Sequence, residues 1–210
     1  MIERGFKVCR NGARISVLVL MMIVFSTVVY GAQRVRDDEA GVSVSIPSGW
    51  NLLTRAEILE SLSRIKLPPG QRAPTTHDIV FRIMKYDEPT DRLNPTVTIA
   101  RRPLRQFKGQ EASEIIDASL RSDGGRKYDW VQQSKTVDFH SMNAARAVVD
   151  NTVVSQEGQR YTFRTRVVVV VCESDYVWIQ MSGAADGPDA AIQEFDAILA
   201  SLTIDPSERR

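Results

Sequence analysis

The chain has 210 residues, 43% hydrophobic and 25% charged, which is the composition of one globular domain and excludes a collagen-like, coiled-coil or wholly disordered chain. Two cysteines exclude a disulfide scaffold or a cysteine-rich zinc module, and two histidines leave little for a histidine-based metal site. A formal charge of +1 gives no global basic field of the kind that binds nucleic acid.

The first segment carries the strongest signal. Arg4, Lys7, Arg10 and Arg14 form a basic stretch offset only by Glu3, and the uncharged run ISVLVLMMIVFSTVVYGA follows from Ile15 to Ala32. A basic stretch, an apolar run and then small residues describe an export signal, an N-terminal hydrophobic targeting helix. Its best cleavage point lies between Gly31 and Ala32, where Val29 and Gly31 occupy the small-residue positions. The competing reading is a retained anchor, since eighteen helical residues span about 27 Å against a hydrocarbon core of about 30 Å. Both readings keep the N-terminus cytoplasmic and export the rest, to a periplasmic or other extracytoplasmic location, free or tethered to the membrane through 15–32. No cysteine follows the run to take a lipid, and no twin-arginine pair precedes it. Residues 1–31 hold four of the 27 basic and one of the 26 acidic residues, so the exported part carries 23 and 25, a net of −2.

Residues 32–40 are charged and aperiodic and read as a tether, with a single domain over 41–204 and a frayed tail over 205–210. In GVSVSIPSGW, Val42, Val44 and Ile46 alternate with serines, predicting a half-buried strand that Pro47 ends. Thr54 and Glu57 have the spacing of a capping box, and Ile58, Leu62 and Ile65 then recur at helical intervals to about Lys66. Residues 67–76 hold three prolines and a glycine and read as a loop. Strands are predicted at Asp78–Tyr86 and Thr96–Ala100, with Arg101–Gly109 left ambiguous. A helix follows over Glu111–Arg121. Three long strands come next, Asp129–Phe139, Ala144–Ser155 and Arg160–Glu173. In the last, alternation passes into the unbroken Val167–Val171, the pattern of a strand exposed at its start and buried on both faces later. A strand at Tyr176–Met181 and a helix opening near Pro188, with Ile192, Phe195, Ile198, Leu199 and Leu202 on one face, complete the chain. The order β-α-β-β-α-β-β-β-β-α predicts an α+β sandwich: a mainly antiparallel sheet covered by helices on both faces.

The strand ending in Ile-Pro-Ser-Gly-Trp (Ile46–Trp50) and the closing Phe-Asp-Ala-Ile-Leu-Ala-Ser-Leu-Thr-Ile (Phe195–Ile204) resemble the PsbP-like superfamily, which includes exported bacterial PsbP-like and DcrB-like proteins. The resemblance covers about residues 40–204. It implies a non-enzymatic binding or assembly module, and it brings no shared catalytic motif.

The chemistry-bearing residues agree with that implication. Neighbouring residues on a strand face opposite ways, so His77 and Asp78 do not serve one site as a dyad. His140, in FHSMN between two strands, reads as a turn residue. Cys172 closes the valine run with no Lys or Arg between Val167 and Ser201 to lower its pKa, and reads as a core or edge thiol, with an intermolecular disulfide as the alternative. Asp87-Glu88 and Asp186-Gly187-Pro188-Asp189 lack the regular acidic spacing of a calcium loop. No phosphate loop, nucleophile elbow or zinc-protease motif occurs. No catalytic residue, metal or cofactor is assigned. The densest positive segment of the exported part, Arg101, Arg102, Arg105 and Lys108, is the candidate contact for an unknown protein or envelope component, with nucleic acid excluded as a partner. The alternatives are a carrier of a small apolar ligand between sheet and helices, or a hydrolase whose polar residues converge only in the fold.

Overall fold

Residues 32–63, 78–87, 93–122, 128–154, 159–187 and 190–206 are described by a computed structural model. The apolar run up to Gly31, the proline-rich loop with His77, the turn around Glu157 and the last four residues lie outside them. Among the described residues no helix is long and apolar enough to cross a membrane.

The strands are β1 (Gln33–Asp37), β2 (Val42–Ile46), β3 (Asn51–Leu52), β4 (Ile79–Met84), β5 (Thr96–Pro103), β6 (Asp129–Phe139), β7 (Met142–Val154), β8 (Arg160–Val171), β9 (Asp175–Ala184) and β10 (Thr203–Ile204). The helices are α1 (Arg55–Ser63), α2 (Ala112–Ser122) and α3 (Ala190–Ser201). Seven strands form one sheet in the order β3-β4-β5-β9-β8-β7-β6, and β1-β2-β10 form a second; every pairing is antiparallel.

Alternation along β8 decides the layering. Val167 and Val169 face one side with Ala145, Ala147, Val149 and Trp178, where α2 lays down Ile115, Ile116 and Leu120. Val168 and Val170 face the other side with Ile99, Val177, Ile179 and Met181, under β2 and α3, which supply Val42, Val44, Ile46, Phe195 and Ile198. The valine run is thus buried on both faces, as its unbroken hydrophobicity requires. Helices do lie on both faces, but on the α3 side the small sheet shares the cover, and the sequence pattern did not reveal that sheet.

The reason is β1. Gln33–Asp37, expected as a tether, pairs with β2 over five positions from Gln33↔Ile46 to Asp37↔Val42. Only Val35 in this strand is apolar. It lies opposite Val44 and packs on the core, while Arg34 donates to the hydroxyls of Ser43 (2.9 Å) and Thr203 (3.4 Å) on the outer face. One apolar residue among four polar ones carries no readable period. Its pairing comes from backbone hydrogen bonds and the serine-lined face of β2. At the other end, Asp205 is not frayed: its N–H donates to the Gly41 carbonyl at 2.8 Å.

Local signals hold where they rest on side-chain chemistry. The capping box forms, with the Thr54 N–H donating to Glu57 Oε2 (2.7 Å) and the Glu57 N–H donating to Thr54 Oγ1 (3.3 Å). The Thr54 N–H, together with the Thr54 hydroxyl that also donates to Oε2 at 2.8 Å, holds the Glu57 carboxyl below its ordinary pKa. The Pro47–Trp50 turn closes by the Trp50 N–H to the Pro47 carbonyl (3.2 Å), with Gly49 at φ +80°, where a side chain would be strained. Trp50 then meets Phe195 edge-on at 5.8 Å, so the two motifs that carry the family resemblance touch across the core.

Phe195 is 4% exposed between Trp50 and the sheet. Phe195→Ala is expected to cost about 3–5 kcal/mol in urea unfolding; a loss under about 1 kcal/mol would mean that α3 does not close this core.

Candidate functional site

The basic segment that begins on β5 is separated by the same alternation that layers the sheet. Arg101 follows Ile99 onto the α3 side and is 1% exposed. It therefore does not face a partner, contrary to the expectation from its charge. Its Nε donates to Asp175 Oδ2 at 2.7 Å, and its Nη1 donates to the carbonyls of Ala40 (2.5 Å) and Asp205 (3.0 Å). Asp175 is itself 5% exposed. One guanidinium thus joins β5, the start of β9, the turn before β2 and the end of β10. Gly41 completes the junction at φ +61°. A Cβ there would come within 2.9 Å of Asp205 Cβ and 3.1 Å of Arg101 Nη1, so both backbone angle and space call for glycine.

Arg102 follows Ala100 onto the opposite, α2 side, across from Tyr176. It is half-buried. Its guanidinium carbon lies 5.8 Å from the centroid of the Trp178 ring, and its Nε is buried with no hydrogen-bond acceptor among the described residues. The chain then leaves the sheet. Leu104 is buried and its N–H donates to the Ser174 carbonyl (3.0 Å); Phe107 packs edge-on against Tyr176 at 5.9 Å. These two apolar pegs hold a single 3-10 turn at Arg105–Phe107 against the sheet, leaving Arg105 and Lys108 exposed. Neither makes an ion pair among the described residues. The sequence placed four cations together; the fold exposes two, half-buries the third and turns the fourth into a structural post.

The other candidates fall where chemistry is quiet. His140 and Ser141, at φ +51° and +63°, form the two-residue turn between the paired ends Phe139 and Met142, with His140 exposed. Asp87 accepts from Asn51 Nδ2 at 2.8 Å, and Asp186 is an exposed turn residue. Glu88 and Asp189 lie outside the described residues, among which no group of three or more acidic, histidine or cysteine side chains is arranged to hold a metal ion. Ile99, Ile179, Met181, Phe195 and Ile198 pack in the core between the large sheet and α3.

Two residues escaped the sequence reading. Trp178 was seen only as part of a strand, although it supplies the ring under Arg102. Asp175 falls between the strands expected at Arg160–Glu173 and Tyr176–Met181, although a buried arginine in a strand implies a carboxylate partner within reach.

Cys172 sits in the core near Arg101 and Asp175, and burial pushes its thiol up to about 12 against the opposing pull of Arg101. The folded state favours the protonated thiol. Its contribution to stability is therefore complete below the ordinary thiol pKa and is lost as pH climbs from there toward 12. At pH 8 the buried thiol stays protonated. Labelling of Cys172 by an aromatic disulfide at pH 8 is therefore expected to be negligible in the native protein and to reach one equivalent in denaturant; a fast native reaction at Cys172 would restore a reactive-thiol role.

No protein-family model matches the chain, and no curated protein matches it. It is similar to several solved structures. One is the cyanobacterial PsbP of Synechocystis sp. PCC 6803, at 14% identity over 86% of this chain and 96% of that one, with a TM-score of 0.46. A second is LpqN of Mycobacterium tuberculosis, involved in cell envelope biogenesis, at 14% identity over 83% and 91%, with a TM-score of 0.47. A third is the Ran-binding protein Mog1p of Saccharomyces cerevisiae, at 11% identity over 83% and 95%, with a TM-score of 0.46.

Proposed function

We propose that this chain is an exported, non-catalytic binding module, released by cleavage between Gly31 and Ala32, which engages an acidic protein or envelope component through Arg102, Arg105 and Lys108. The observation that carries the binding assignment is the state of Arg102. A half-buried guanidinium whose Nε has lost water and found no acceptor costs on the order of 1–3 kcal/mol, and a carboxylate or other anion brought by a partner to the accessible part of the group would offset that cost by its charge. Trp178 beneath it excludes water and adds a cation–π attraction of about 0.5–2 kcal/mol. Arg105 and Lys108, set out by the pegged turn, extend the positive surface and favour fast, salt-sensitive encounter with a negative partner.

The export assignment is supported by the basic stretch and apolar run before Gln33. β1 begins two residues after Gly31, so a cut at Gly31–Ala32 would leave every strand whole.

Two measurements test the proposal. N-terminal sequencing of the protein recovered outside the cytoplasm is expected to begin at Ala32; recovery from the membrane with Met1 intact would replace release by anchoring, and a cytosolic C-terminal reporter would overturn export. In crosslinking from the native envelope, the triple variant Arg102→Gln, Arg105→Gln, Lys108→Gln is expected to lose its specific adduct by about tenfold, the scale of one or two charged contacts. An adduct retained at full yield by a folded triple variant would remove this segment from the interface.

A further inference from the structure

On the other face of the large sheet, β6 and β7 place two cations directly opposite one another. Lys135 and Arg146 are register partners. Alternation puts both on the α3 side, since Ala144 and Val137, two positions along on either strand, pack with the core there. Both are exposed, and neither makes an ion pair among the described residues. Like charges directly opposite in an antiparallel pair oppose the pairing they sit on. Two further arginines lie on this face of β8. Arg166 pairs with the next same-face position of β7, Val148, which sets it diagonal to Arg146 at roughly 7–8 Å. Arg164 follows, opposite Asp150.

Of the acids on this face, Asp129 lies at the far end of β6, opposite Asp150 and six residues from Lys135, and the two nearer ones are already taken. Asp150 is held by Arg164 through two bonds of 2.9 Å each, and Asp196, from α3, is taken by Arg166 at 3.0 Å. Both carboxylates serve the β8 arginines, so the two positive charges of Lys135 and Arg146 stay uncompensated on an exposed sheet face. A structural surface with acids this close would lose repulsion by placing one opposite Lys135. Keeping two cations in register instead suits an external anion that bridges them.

We propose that this β6–β7 face is a second docking surface and that its occupant is an acidic stretch of a partner protein. One carboxylate would lie between Lys135 and Arg146, and a second, farther along an extended segment, would reach the outer side of Arg166. Half-buried Val148 between the cations gives the segment an apolar floor that a free anion would not use. The surface is independent of the Arg102 segment, which lies on the α2 side, and either can fail without the other.

The test uses the full chain in a nonionic detergent and a fluorescein-labelled, capped deca-glutamate as probe, with binding read by anisotropy. Saturable binding at low salt is expected. It should weaken by about tenfold in Lys135→Gln/Arg146→Gln, fade at high salt, and persist in Arg146→Lys and in Arg121→Gln, an exposed cation on α2 outside both surfaces. Because the double variant removes a repulsion, it should melt no lower than the parent, which separates lost binding from lost folding. If the double variant binds like the parent, if Arg105→Gln/Lys108→Gln abolishes binding instead, or if labelled oligothymidylate of equal length binds more tightly than deca-glutamate, the proposal is overturned. Should the double variant melt lower, the single variants decide, each expected to weaken binding several-fold.

Discussion

The arrangement depends on one buried ion pair. Arg101 and Asp175 are each at most 5% exposed, and the guanidinium also takes the carbonyls of Ala40 and Asp205. Taking both charges from water is costly, the more so because Asp175 Oδ1 is buried with no partner among the described residues, and what offsets it is the direct Nε–carboxylate bond and the two backbone carbonyls that Nη1 reaches. The Ala40 carbonyl belongs to the turn between β1 and β2, and the Asp205 carbonyl to the chain just past β10. Without Arg101 the small sheet would lose the post that fixes its open end to the large one. Gly41 is the complement of this post: it gives the room into which the guanidinium and Asp205 close.

This role explains why a run of positive charge read along the chain differs from the surface it makes. On a strand, consecutive side chains face opposite sides, so Arg101 and Arg102 belong to different layers. The first is spent on the interior and the second meets the aromatic ring of Trp178. The same rule makes the surface of Lys135 and Arg146, eleven residues apart in sequence and side by side in register. Charge on this domain is legible only after the pairings are known, because those pairings decide which cations share a face and which acids neutralise them.

How much of the molecule the sequence discloses follows from the same physics. The long strands and α2 were readable because each carries several apolar residues at its own period, and the capping box and the Gly49 turn because they rest on local side-chain chemistry. β1, β3 and β10 were not, since a strand of two residues or one with a single inward valine has no period, and exists through its partner's backbone. β5 and β9 run past their expected ends for a related reason: Arg101, Arg102 and Asp175 look like loop residues until each is seen to answer a charge, a ring or a carbonyl on another strand. At the candidate site, Arg105 and Lys108 were legible as exposed cations, whereas Trp178 under Arg102 and the burial of Arg101 required the register of β5 with β9.

The most direct test of this account is a double-mutant cycle on the buried pair, with Arg101→Met, Asp175→Leu and the two combined, each unfolded in urea. Each single change strands a charge or a set of carbonyls and should cost about 3–5 kcal/mol, while the double variant should recover much of that loss through a large favourable coupling. Additive losses, or an Arg101→Met variant as stable as the parent, would contradict the claim that this pair holds the two sheets together.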